Sequence, residues 1–207
     1  MRKIDKPTAV SKDVYLTCVN MVQNANLKAR LTAAQDLITE ASEEFEQKVT
    51  TGTMHTIARE NMVNGNLTKK ELELVYTYRM AAKKASGRPI YDSILLSAKL
   101  GICPFCSQRQ ATTLDHYLPK TEYPRLTVVP INLVPCCKDC NDIKDILFPL
   151  AANQELIHPY YDDIENDSWL KASVIPSSPC TIQYSVVPPN TWTALLASRV
   201  LFHFEKT

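Results

Sequence analysis

The chain has no charge excess of either sign. Twenty-three lysines and arginines stand against 22 acidic residues, leaving a formal net charge of +1 over 207 residues. Proteins that grip nucleic acid tightly by themselves usually carry a large basic excess. Here the basic residues are either clustered or helped by a partner. An apolar run of membrane-spanning length is also missing, so no membrane contact is expected. Met1-Arg-Lys-Ile-Asp-Lys6 is basic but has no apolar stretch behind it, and does not read as a signal peptide. There is no internal repeat and no low-complexity tract.

What is present is enough apolar material for a core, 45% of residues, in a length that allows one large domain or two small ones. The seven cysteines include two Cys-x-x-Cys knuckles, Cys103/Cys106 and Cys137/Cys140. Four of the seven in knuckles point to a reducing cytoplasm. One knuckle alone would also serve redox chemistry, but two around a compact polar loop match a four-thiolate zinc site. Such a zinc is structural, because four thiolates leave no position open for water. Cys136 competes with Cys137 for the fourth place. Cys137-Lys-Asp-Cys140 repeats the spacer of Cys103-Pro-Phe-Cys106, so Cys137 is favoured and Cys136 is expected to pack as a small apolar side chain.

The loop between the knuckles needs a separate explanation. Ala111-Thr-Thr-Leu-Asp-His116 has the β-branched character of a short strand and ends on an acid beside a histidine. Asn132 follows in the loop, and Lys138 to Lys144 reads as the opening of a helix that carries Asn141. A carboxylate, an imidazole near its ordinary pKa and an amide suit metal-assisted hydrolysis, with oxygen ligands for a hard ion.

These residues resemble the HNH endonucleases, whose ββα-metal motif combines a D-H pair, a mid-loop Asn and a final His or Asn. Asp115, His116, Asn132 and Asn141 match in order, over about a fifth of the chain. The resemblance implies that His116 is the general base and that Asp115 and Asn141 hold catalytic Mg²⁺ or Mn²⁺. Asn132 would orient the His116 ring, and a phosphodiester, in DNA, would be the substrate. Lys120, Arg125, Lys138 and Lys144 are the basic residues nearest the motif and are expected to hold flanking phosphates. Leu114-Asp-His-Tyr-Leu-Pro-Lys-Thr-Glu-Tyr-Pro124, Asn132-Leu-Val-Pro-Cys-Cys-Lys-Asp-Cys-Asn141 and His158-Pro-Tyr-Tyr-Asp-Asp163 look like PtuB, the nuclease component of Septu-type and retron-associated anti-phage systems. That likeness implies an ATPase partner of the PtuA kind. The competing readings are a catalytically inactive zinc-stapled module that binds nucleic acid or protein, and a redox or zinc sensor using Cys136 and Cys180.

The rest of the chain completes an α+β expectation in three parts. Residues 1–99 read as a mainly helical region for partner docking, 100–150 as the zinc-stapled motif, and 151–207 as a small α+β extension. Leu27, Leu31, Ala34, Ile38, Ala41, Phe45 and Val49 line one face of a single long helix, stopped at Thr51-Gly52. Thr68 with Glu71 is a capping box opening the next helix, whose stripe is Leu72, Val75, Tyr76 and Met80. Gly87-Arg88-Pro89 is read as its end, before an apolar helix from Ile90 to Leu100. His55 is expected to pack or sit at the surface, and His158-Pro-Tyr-Tyr-Asp-Asp163 reads equally well as a satisfied turn or a cleft lining. Two strands follow, around Trp169 to Val174 and Thr181 to Val187, then a final helix capped by Thr191 with His203 at a core edge. The chain closes on Lys206-Thr207 with no glycine cap or proline stop.

Overall fold

The computed structural model of the protein describes residues 1–206. It is mixed α+β, as its sequence implies. The N-terminal part holds α1 (Ser11–Val19), α2 (Ala25–Ala33) and α3 (Gln35–Thr51). The single long helix expected across 27–49 is therefore two. Asn24 caps α2 by accepting the Leu27 N–H at 2.9 Å, and Ala34 turns the chain at φ −89°, ψ 1°. Three- and four-residue apolar spacing is blind to such a break, because both helices keep the same face inward. Gly52 ends α3 in the left-handed region, its N–H returning to the Lys48 carbonyl, as a C-terminal glycine does.

A two-residue hairpin, β1 (Met62–Val63) with β2 (Leu67–Thr68), turns through Asn64-Gly65, both at positive φ. Thr68 then opens α4 (Lys69–Tyr76) with the expected capping box, and Arg30 closes on Glu71 at 2.6 Å, tying α2 to α4. The Arg30 guanidinium holds the Glu71 carboxyl down at about 2. A π-helical turn over Thr77–Ala81 ends this helix before Gly87 is reached. Gly87-Arg88-Pro89 instead begins α5 (Arg88–Leu96), with proline in the first turn where its missing N–H costs nothing. A side chain at Gly87 would meet the Arg79 carbonyl and the Cys18 sulfur at 2.8 Å, so the close approach of α1 and α5 requires glycine.

β3 (Thr113–His116) pairs antiparallel with β4 (Leu133–Cys136), and α6 (Lys138–Lys144) follows at once. One continuous core includes Tyr15, Leu31, Phe45 and Met80 of the helical part and Leu114, Leu118, Leu133 and Val134 around the hairpin. The hairpin thus lies on a helical bed. Tyr91 of α5 accepts the Leu114 N–H through its hydroxyl at 3.2 Å, and the Tyr76 ring meets His116 edge-on at 4.4 Å.

Beyond it come β5 (Leu170–Ile175), antiparallel to β6 (Thr181–Val186), and α7 (Ala194–Lys206). Thr193, not Thr191, takes the capping position, its hydroxyl accepting the Leu196 N–H at 3.2 Å. His203 is buried at the edge of the core, against Phe105. How the last helix stops involves Thr207, which lies outside the described residues. No helix among those described is long and apolar enough to cross a membrane.

Candidate functional site

The first knuckle is shaped by its own backbone. The Cys103 N–H reaches the Arg109 carbonyl at 2.8 Å, Ser107 N–H returns to the Cys103 carbonyl at 2.8 Å, and Ser107 adopts φ 57° to close the turn. In the second, the Cys137 sulfur caps α6 by accepting the Cys140 N–H at 3.4 Å. All four sulfurs lie within 4.8 Å of one another, and Cys106 and Cys137 are 3.9 Å apart. A tetrahedral zinc with bonds of about 2.3 Å separates its sulfurs by about 3.8 Å, so the cluster has the size of a four-thiolate site. The Cys103 thiol is pulled down to about 5, first by the Cys140 thiol and then by backbone groups of Cys106, Cys137 and Phe105, against the effect of burial. Cys136 stays out of the cluster. It lies in β4 opposite Thr113, and burial pushes its thiol up, which removes it as a reactive sensor thiol.

Beside the cluster is a polar cavity of about 340 Å³, bordered by Tyr76, Asp115, His116, Lys120, Asn141, Asp142 and Asp145. His116 is buried, and its Nε2 lies 2.8 Å from the Thr127 carbonyl. A carbonyl only accepts, so Nε2 carries the proton and Nδ1 keeps the lone pair. The imidazole is not near its ordinary pKa. Burial, joined by the Lys120 charge, pushes it down to about 3, so it stays neutral and basic across the physiological range. Asp115 is buried too, and desolvation raises its carboxyl while Lys144 opposes the rise. The Lys144 ammonium stands 3.0 Å from Asp115 Oδ2 and 3.3 Å from Oδ1, and donates to the His116 carbonyl at 2.7 Å. Oδ2 lies within ion-pair distance but receives no aligned hydrogen bond.

Several sequence expectations need correction. Asn132 does not touch the His116 ring. Its Oδ1 accepts the Leu118 N–H at 2.8 Å and its Nδ2 donates to the Leu118 and Leu126 carbonyls at 3.0 and 3.2 Å. It laces the loop that carries Thr127, and the Thr127 carbonyl orients the imidazole. Nothing in the identity of Thr127 could have revealed this, since the group is backbone. Lys144 is buried on Asp115, and Arg125 is engaged with Glu60 at 2.6 and 3.0 Å, so neither is a free phosphate ligand. Lys138 is exposed, and Lys120 stands at the cavity with its ammonium 5.7 Å from the Tyr76 ring.

His158 is no cleft residue. It is buried, stacked on Tyr117 at 4.2 Å, and accepts the Tyr160 N–H. Its segment is a turn that anchors α7: Arg199 donates to the Glu155 and Leu156 carbonyls and grips both Asp162 oxygens at 3.0 and 2.7 Å. His55 has a partner that its sequence context does not suggest, the buried Glu155 carboxylate at 2.7 Å.

Fold and site together define a mixed α+β protein in which a four-cysteine zinc-binding cluster stands beside a cavity holding a neutral histidine and a paired aspartate. The chain belongs to the family of protein ea31 of Escherichia phage lambda, to which it is 31% identical over 215 aligned positions, spanning 99% of this chain and 72% of that protein. It is also similar to the Septu protein PtuB of Bacillus thuringiensis, with 31% identity over 83 positions, covering 38% of this chain and 32% of PtuB. No protein-family model and no solved structure matches the chain.

Proposed function

We propose that the protein is a metal-dependent endonuclease of the HNH type that hydrolyses phosphodiester bonds in DNA. The observation that carries the reading is the state of His116: neutral, buried, with Nε2 committed to the Thr127 carbonyl and Nδ1 left to accept a proton. A base held in one tautomer and one orientation suits the activation of water for attack on phosphorus. The Asp115 oxygen without an aligned hydrogen bond and the Asn141 amide at the same cavity fit a hard divalent ion, Mg²⁺ or Mn²⁺, with water completing its shell. The chemistry supplied by such an ion is neutralisation of charge on the phosphate and the leaving oxygen. Lys120 would hold a flanking phosphate at the cavity, and the exposed Lys138 one further along. Zinc in the thiolate cluster would anchor the first knuckle to the start of α6, keeping Asn141 in register with β3.

The partial similarity to PtuB supports a place in an anti-phage complex, with a PtuA-like ATPase docked on the helical region of residues 1–99. Near-neutral charge leaves few phosphate contacts in excess of repulsion, so the isolated chain should bind DNA weakly, with a Kd of about 10⁻⁴–10⁻⁶ M at physiological salt. Plasmid cleavage by the zinc-loaded protein, with and without Mg²⁺ or Mn²⁺, tests the activity. Cleavage that requires the added ion supports it, and none under either condition leaves the inert zinc-stapled module as the better account. Pull-down from native lysate tests the partner, and tight, site-specific DNA binding by the lone chain sinks the need for one.

A further inference from the structure

Lys144 has no part in the reaction just described, yet it is placed with unusual care. Its side chain is 1% exposed, and lysine is almost never buried to that degree without a partner. From the last turn of α6 it crosses to β3 and meets both residues of the Asp115-His116 step. The ammonium donates to the His116 carbonyl at 2.7 Å and faces both Asp115 oxygens at 3.0 and 3.3 Å. Around this pair the cavity offers Lys120 from the loop after β3, and Asp142 and Asp145 from the side of α6.

We infer that Lys144, which does not itself line the cavity, is a positioning residue: it holds Asp115 and the His116 backbone in place before any divalent ion arrives. An ion that takes Asp115 must then do so beside an ammonium that already balances that carboxylate. Its binding to the free protein is weak, and the negative charge of a phosphodiester entering the cavity strengthens it. Ion and substrate therefore load together. This deepens the nuclease reading and rests on it for the nature of the substrate.

The test is thermal unfolding of the zinc-loaded full chain with and without millimolar Mn²⁺. Wild-type Tm should shift by no more than about a degree, as expected for weak ion binding. Lys144→Met leaves a buried carboxylate uncompensated, so its Tm without Mn²⁺ should fall by about 10 °C and largely recover when the ion is added. A side chain that merely filled space would lower Tm equally in both conditions, and an equal Mn²⁺ response in wild type and variant overturns the inference. The double variant Asp115→Asn with Lys144→Met removes both charges. It should be more stable than Lys144→Met and lose the Mn²⁺ response, which also controls for ion binding elsewhere. If Lys144→Met fails to fold, a soluble double variant supports the pairing and an insoluble one refutes it. None of these readouts needs cleavage, so a chain that cuts no DNA refutes the nuclease reading without deciding the role of Lys144.

Discussion

Two antiparallel hairpins in this molecule make an instructive pair. β3–β4 has four residues in each strand and is almost wholly buried, while β5–β6 has six in each and leaves nearly every residue exposed, Val174 at 68% and Ile182 at 56%. The shorter one carries Asp115 and His116, the residues of the proposed chemistry. An isolated two-stranded hairpin is marginal in water, so strand pairing alone does not make a platform. β3–β4 gains its rigidity from what surrounds it: α5 on one side, the thiolate cluster where β4 ends, and the Asn132 lacing of the loop between its strands. β5–β6 leans on a minor cluster of Ile157, Ile164 and Val200 through Trp169 and Val186. An imidazole held in one tautomer and one orientation, as the Thr127 carbonyl holds His116, belongs on the first kind of hairpin.

The comparison breaks most completely at the cysteines. Structural zinc sites contribute on the order of 10 kcal/mol of apparent binding energy, comparable to the whole stability of a typical domain. Cys103→Ser and Cys140→Ser should therefore give insoluble or zinc-depleted protein, read by metal analysis of the soluble fraction. Cys136→Ser should keep the zinc and lose about 1–3 kcal/mol, for a hydroxyl buried without a designed partner. Zinc lost from Cys136→Ser and kept by Cys137→Ser would reverse the ligand assignment.

Chemistry should separate from folding at the end of β3. His116→Ala removes the proposed base and leaves the sulfurs untouched, so zinc content should hold while cleavage slows by about 10²–10⁴. Cleavage at the wild-type rate removes His116 from the mechanism, whatever the zinc content.

Acid should stress the core and site long before it reaches the exposed hairpin. Burial holds His116 and His203 at about 3 and His158 well below its ordinary value, whereas the unfolded chain takes up these protons near pH 6.5. With folded pKa values depressed, stability is full above about 6.5 and is lost as pH falls towards the folded values. At pH 5.5 each histidine should cost about 1.4 kcal/mol relative to pH 7.5, seen as a lower urea midpoint with zinc in excess. A flat midpoint over that range contradicts the burial. For the same reason cleavage should show no acid limb near pH 6.5 while the fold persists.

The smallest effect belongs to β5–β6. Val174→Lys or Ile182→Thr should move stability by less than about 0.5 kcal/mol, because neither side chain leaves a packed site. A loss of several kcal/mol by thermal melt would mean that this face is covered in solution.

By itself the sequence determined the metal cluster, the Asp115-His116 step, the capping box and the α+β class. These are local: two-residue spacers, adjacent residues, or a three-residue reciprocal cap, and local geometry follows from residue order. The choice of Cys137 over Cys136 was legible for the same reason. Only the tertiary structure decided what orients His116, where Lys144 and Arg125 direct their charges, and that His158 is core. Lys144 and Asp115 are 29 positions apart, and Arg125 and Glu60 are 65 apart. Nothing in residue identity says which carboxylate a lysine will meet across such a distance, or that a backbone carbonyl will claim a histidine nitrogen. Those outcomes depend on packing a helical bed beneath a hairpin, where burial forces every charge to find its partner.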